Sequence, residues 1–198
     1  MTYTLKIRRA IRFSVKTHEV YQKQKRKGKD IAYITHPLTV GIILAAAGAH
    51  EDVIVAGILH DTIEDSVAKK KVTPAMVKER FGARVAKLVV LVTEEDRTAS
   101  WEERKDEAHA RISKFSHDAV LVKSADVISN GTELLDDYGR DGVIVFSRFS
   151  APKEKVMMHH HRVIAALLEQ WSKNPLASDL RELDKNLRLV EADYKKRK

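Results

Sequence analysis

The chain contains no cysteine, which excludes disulfides and thiolate-bound zinc. The start, Met1-Thr2-Tyr3-Thr4-Leu5-Lys6, has no apolar signal core. Long apolar runs are missing too: the stretch from Val40 to Ala49 is about half of the roughly 20 residues a membrane-spanning helix needs. There is no internal repeat and no low-complexity linker. These absences lead us to expect a cytoplasmic protein with no membrane partner.

What is present suffices for a core. The chain has 198 residues, of which 43% are hydrophobic, and residues 1–198 are expected to form one domain. The net charge of +8 favours anionic partners such as nucleotides. The excess is clustered at Lys23, Lys25, Arg26, Lys27 and Lys29, again at Lys69-Lys70-Lys71, and at Lys195-Lys196-Arg197-Lys198. Solvated turns and tails account for such clusters in general, but the first lies shortly before His36.

Nearly every segment has helical period, so the expected fold class is all-α, a helical bundle. The pattern predicts helices from Leu5 to Gln24, from His36-Pro37 to near Gly48, and from Glu51 to Asp65. A short helix follows Thr73-Pro74 and stops at Gly82, and another runs from Arg84 to Thr93. Ser100-Trp101-Glu102-Glu103 is a capping box for a helix to about Phe115. Asp118 to Tyr138, closed by Gly139, then Pro152 to Trp171 and Leu176 to Tyr194 complete the set. Val89 to Val92 and Val143 to Phe146 could pass for short strands.

The most informative feature is the adjacent pair His60-Asp61, at the end of the apolar run Val53-Ile54-Val55-Ala56. Imidazole nitrogen and carboxylate oxygen together suit a divalent metal. Glu64 and Asp65 follow one helical turn later, at spacings that stack side chains on neighbouring faces. His36 and Asp126 complete a candidate set. Alone, His36 before a proline reads as a cap, and Asp126 as the partner of Lys123. But Asp126 sits in Ala119-Val120-Leu121-Val122-Lys123-Ser124-Ala125-Asp126-Val127-Ile128, where an uncompensated charge is costly to bury. Metal-assisted hydrolysis is the chemistry these types suggest.

This pattern resembles the HD superfamily of metal-dependent phosphohydrolases. Tyr33-Ile34-Thr35-His36-Pro37 and Leu59-His60-Asp61-Thr62-Ile63-Glu64-Asp65 are similar to the hydrolase domain of RelA/SpoT proteins, as is Phe81-Gly82-Ala83-Arg84-Val85-Ala86-Lys87-Leu88-Val89. At 198 residues no synthetase or regulatory domain is expected, so the stand-alone small alarmone hydrolases are the nearer likeness. The resemblance implies a (p)ppGpp 3′-pyrophosphohydrolase that releases pyrophosphate, with one Mn²⁺, or another divalent metal, on His36, His60, Asp61 and Asp126. It implies that Glu64 and Asp65 act on the attacking water, that Arg26 and Lys27 meet the base and phosphates, and that Asn130 meets the nucleotide sugar region. The expected partner is a guanosine or adenosine alarmone; nucleic acid is disfavoured, and a homo-oligomer is left open.

The chain departs from the family in places. Asp126-Val127-Ile128-Ser129-Asn130-Gly131-Thr132 lacks the usual basic residues, Gly131 loosens the helix, Ser124 replaces a leucine, and the turn Lys27-Gly28-Lys29-Asp30 is spaced differently. Base and phosphate count stay open. Rival readings are another HD-type nucleotide phosphohydrolase and a non-catalytic nucleotide or nucleic-acid binder. His159-His160-His161 is expected to have a surface or packing role, because consecutive helical residues diverge by about 100°. Glu94-Glu95-Asp96 and Asp136-Asp137 are expected to be solvated, and Trp101 and Trp171 to be core or interface anchors.

Overall fold

In the computed structural model, residues 3–94 and 99–196 are described, without the side chains of 193–196. Glu95, Asp96 and the C-terminal basic side chains therefore lie outside the described residues.

Helix α1, Leu5–Val15, starts at Thr4, whose hydroxyl caps the Ile7 amide. It passes straight into a π-helical turn, Lys16–Tyr21, instead of continuing to Gln24. The turn buries Thr17 and His18 together. An isolated antiparallel bridge between Lys25 and Ala32 then closes a basic loop. Helix α2, Thr35–Ala46, places His36, Val40 and Leu44 on one buried face. In α3, Glu51–Leu59, every residue from Val53 to Leu59 is buried.

The expected helix to Asp65 is broken. α3 ends at Leu59, His60 and Asp61 form a turn, and Thr62–Asp65 makes a separate short helix, α4. Asp61 has φ −93° and ψ −5°, a dihedral pair often found at functional residues. The break turns the His60-Asp61 pair out of the fully buried helix and into the site.

α5, Pro74–Phe81, and α6, Ala83–Val92, meet at Gly82 as the pattern predicts, and Val89 to Val92 is helix. α7, Trp101–Ile112, starts with a complete capping box at Ser100 and Glu103. The central element is α8, His117–Asp141, which contacts α2, α3 and α6. A 3₁₀ segment, Gly142–Arg148, takes in the second supposed strand. α9, Lys153–Gln170, and α10, Ala177–Lys196, pack on the other side of α8. The described residues contain no β-strand, and none of their helices is long and apolar enough to cross a membrane. The fold class is all-α, as the periodicity implied.

Two departures from the family acquire structural meaning here. Ser124 accepts a hydrogen bond from Asn174 Nδ2 at 2.7 Å, which ties the turn before α10 to α8. Gly131 is a contact point: a Cβ there would lie 2.6 Å from Leu183 Cδ2 and 2.8 Å from Cδ1. The missing side chain lets α10 approach α8. α8 also runs through Gly139 and stops at Gly142, whose φ of +63° suits glycine. At Gly139 the helix continues, and that glycine is not among those with positive φ.

The two glycines should respond oppositely to alanine. Gly131→Ala should lower unfolding free energy by about 1–3 kcal/mol, because buried Leu183 must be displaced. At Gly139, exposed and with nothing within 4 Å of a new Cβ, alanine should raise it by roughly 0.5–1 kcal/mol. Urea denaturation of both variants checks this.

Candidate metal centre

Three elements converge on one point. α2 supplies His36, the turn after α3 supplies His60 and Asp61, and α8 supplies Asp126. Ligand atoms of His36, His60 and Asp126, all buried, lie within 4.8 Å of one another. His36 Nε2 is 3.2 Å from His60 Nε2 and 3.2 Å from Asp126 Oδ1. Asp61 joins them, with Oδ2 3.1 Å from His60 Nε2 and 3.7 Å from His36 Nε2.

The surroundings fix the direction of each ligand. His60 Nδ1 donates to the Gly57 carbonyl at 2.7 Å. His36 Nδ1 is 3.0 Å from the Ser129 hydroxyl. When both rings are neutral, with their protons on these outer nitrogens, both Nε2 lone pairs point inward, as metal binding requires. Such an arrangement of lone pairs and carboxylates fits a cation between them. The Tyr33 hydroxyl donates to Asp61 Oδ2 at 2.5 Å. Burial, with the nearby Asp61 and Asp65 carboxylates, holds the Tyr33 phenol well above its ordinary pKa, so it remains a donor.

Asp126 is both salt-bridged and turned to the site. Lys123 Nζ donates to its Oδ2 at 2.8 Å, while Oδ1 faces His36 and accepts from Asn130 Nδ2 at 2.7 Å. Burial works against this carboxylate, but Lys123, His36 and His60 hold its pKa well below the usual range. Burial also works against a charged His60; Asp61 and Asp126 outweigh it and lift the imidazole to about 9.

This centre forms the floor of a cavity of about 650 Å³. Arg26, Lys27, Glu64 and Asn130 line it, whereas Asp65 is buried and is not among the lining residues. Arg26 is tied laterally: Nε donates to Glu133 at 2.9 Å, Nη2 to Asn130 at 2.8 Å, and the guanidinium lies over the Tyr33 ring at 5.4 Å. Lys27 lies 5.2 Å from the Phe149 ring centroid. Burial, then Lys105 and Arg104, push its pKa down. These three cations face one cavity, a setting for a multiply charged anion.

Several lining residues escaped sequence reasoning. Tyr33 and Glu133 had usable signals: one is three residues before His36, the other three after Asn130 on the same face of α8. Lys29 belonged to the basic cluster before His36; Gln24 and Arg148 had no signal. His159 and His160, expected to have a surface or packing role, are half-buried on α9 and line the cavity, with His159 packed edge-on against Trp101. Burial, and then neighbouring positive charge, push them down to about 3 and about 4, so both are neutral. Glu94 is no free surface acid either; it pairs with Arg104 and Lys105. Asp137 is buried against Lys29, Arg140 and Arg148, while Asp136 is exposed as expected. Trp101 lines the cavity and Trp171 stacks on His117 at 4.2 Å.

A family model of the HD domain matches residues 10–137. The chain belongs to the HD domain family. HD domains are metal-dependent, and the His36, His60 and Asp126 group gives this one a place for an ion. A guanosine-3′,5′-bis(diphosphate) 3′-pyrophosphohydrolase of Aquifex aeolicus is 37% identical over 126 residues, covering 63% of this chain and 17% of that protein. The mouse guanosine-3′,5′-bis(diphosphate) 3′-pyrophosphohydrolase MESH1 is 35% identical over 119 residues, 59% of this chain and 64% of that protein. The matched part thus spans less than two thirds of either relative. Among solved structures, a metazoan orthologue of SpoT that hydrolyses ppGpp aligns with a TM-score of 0.75 at 25% identity, over 93% of this chain and 97% of that one. A Listeria monocytogenes protein aligns with a TM-score of 0.69 at 28% identity, over 78% of this chain and 97% of that one.

The centre should take up metal in exchange for a proton. Without an ion, His60 is protonated below about pH 9. A metal needs the neutral imidazole, so affinity for Mn²⁺ as a probe should weaken about tenfold for each pH unit below that value. Calorimetric titration at pH 6.5, 7.5 and 8.5 in buffers of different ionisation enthalpy should show both the trend and the released proton. In the metal-free protein the same raised pKa contributes stability that is complete below pH 6.5 and is lost as pH rises through about 9.

Proposed function

We propose that this HD domain is a metal-dependent alarmone hydrolase. It removes the 3′-pyrophosphate of a guanosine or adenosine alarmone such as ppGpp or pppGpp and acts in the cytoplasm, with one Mn²⁺ on His36, His60, Asp61 and Asp126. The observation that carries this reading is the joining, in one cavity, of a buried His-His-Asp group to the cations Lys27, Arg104 and Lys105. A hydrolysed diphosphate needs both. The metazoan SpoT orthologue, which aligns over nearly its whole length, supports the substrate class.

An ion held by His36, His60, Asp61 and Asp126 would supply Lewis-acid polarisation of the phosphoryl group and would lower the pKa of the attacking water. The chain's own residues do the rest. Tyr33 holds Asp61, and Lys123 and Asn130 hold Asp126, so the ligands are set before substrate arrives. Glu64, which lines the cavity, would accept a proton from the attacking water, with Asp65, buried next to it in the chain, as the second acid of the pair. Arg26 offers a flat guanidinium face to the purine, its edge held by Glu133 and Asn130. Asn130, bonded to both Arg26 and Asp126, links the nucleoside end of the cavity to the metal end, beside the sugar. Lys27 neutralises phosphate. We read residues 1–198 as a single unit, because α9 brings His159 and His160 into the wall of the same cavity.

With Mn²⁺ and ppGpp or its adenosine counterpart, chromatography should show pyrophosphate and the nucleoside 5′-diphosphate. No product from either alarmone, with turnover of another nucleotide from a panel, would overturn the assignment. Asp61→Ala should abolish turnover and lower bound metal. Arg26→Ala should raise KM by about tenfold, the worth of roughly 1.4 kcal/mol of lost binding, at unchanged metal content. Unchanged kinetics would remove Arg26 from the site.

A further inference from the structure

We infer that His18 is a positioning residue for the hydrolytic site, which orients Asp65 through Gln24 and Asp61 through Tyr33. The inference rests on the reading of Asp61 as a metal ligand and Asp65 as a supporting acid.

His18 is fully buried and lies in the π-helical turn Lys16–Tyr21. Such turns are rare and concentrate at functional sites. The chain adopts a second uncommon conformation just beyond it, with Lys23 at φ +50°. Together these bring His18 and Gln24 into a double contact. Gln24 N donates to the His18 carbonyl at 2.9 Å, and His18 Nδ1 is 3.0 Å from Gln24 Oε1. Gln24 Nε2 then donates to Asp65 Oδ2 at 2.9 Å.

The direction of this relay follows from the chemistry of an amide. A carboxylate only accepts, so Gln24 must turn its NH₂ to Asp65 and its oxygen to His18. His18 must therefore carry its proton on Nδ1. The opposite nitrogen, Nε2, is buried without a partner among the described residues. That is the cheaper way to leave a group unpaired, because a bare acceptor is tolerated where an orphaned N–H is not. The other tautomer would bury an unpaired donor and free Gln24 to flip its oxygen against Asp65.

The same imidazole has a second contact. Its ring lies 5.1 Å, centroid to centroid, from that of Tyr33, whose hydroxyl holds Asp61. Tyr33 N in turn donates to the Gln24 carbonyl at 2.9 Å. One buried ring thus braces two carboxylates from behind, through its Nδ1 for Asp65 and through its packing on Tyr33 for Asp61.

The two arms come apart by substitution in the full chain. His18→Asn keeps an amide nitrogen near the Nδ1 position but loses the ring. His18→Phe keeps a ring against Tyr33 but loses the donor. His18→Phe should lower kcat for the alarmone by about tenfold or more, at unchanged KM and Mn²⁺ affinity. His18→Asn should retain most of kcat at saturating Mn²⁺ but bind Mn²⁺ about tenfold more weakly. Gln24→Leu should match His18→Phe, and the combined variant should be no worse than either. Equal effects of His18→Asn and His18→Phe on both readings would overturn the proposal. Nitrogen-15 NMR of histidine-labelled, metal-free protein gives a reading independent of turnover. The Nδ1–H tautomer is expected at His18, and the Nε2–H tautomer would sink the relay. If the parent hydrolyses no alarmone, the assigned activity fails, and the tautomer with the Mn²⁺ affinities of the variants still decides the role of His18.

Discussion

Everything at this site depends on keeping Asp126 ionised inside the core. A carboxylate buried at 7% exposure on the central helix is tolerable only with positive charge on more than one side. Lys123 meets one oxygen, and the two histidines, or an ion held between them, meet the other. This requirement fixes the approach of α2 and the α3 turn to α8. Their apolar faces, Val40 and Leu44 from α2 and Val53 to Leu59 from α3, bury surface around the charged group. The polar centre thus has apolar packing behind it and the cavity in front, which suits a site that must present several ligands to one cation at once.

The cavity above this centre is built by charge pairing. Glu133 collects Arg26 and Lys29, Asp137 collects Lys29, Arg140 and Arg148, and Glu94 collects Arg104 and Lys105. Each acid holds basic residues in place without exhausting their charge. The result is a cationic wall with fixed geometry, suited to an anion that carries more than one phosphate. The net charge of +8 is thus partly organised. Lys69 and Lys70, by contrast, remain exposed.

Much of the fold was legible in the sequence. Thr73, Ser100 and Gly82 mark helix ends correctly, since caps and stops act within a few residues of themselves. The pattern failed where a distant partner decided the outcome. The apolar period runs through His60 without a breaker, yet the helix opens there, where His60 and Asp61 turn to meet α2 and α8. Gly139 looks like a stop, but the helix continues to Gly142. Gly131 looks like a weakness and is the seat of Leu183. The π-helical turn at His18 left no mark that periodicity can detect.

By itself, the order of residues determined the helical class, the identity of the metal-suited pair His60-Asp61 and its likeness to one family. These depend on local spacing and on residue chemistry, which any reader of the chain can count. Only the tertiary structure decided that Asp65 is buried while Glu64 lines the cavity, that His159 and His160 belong to that cavity, and that His18 braces the acids. Those outcomes depend on which helices meet and at what angle. Side chains distant in sequence acquire their neighbours only when apolar faces have packed.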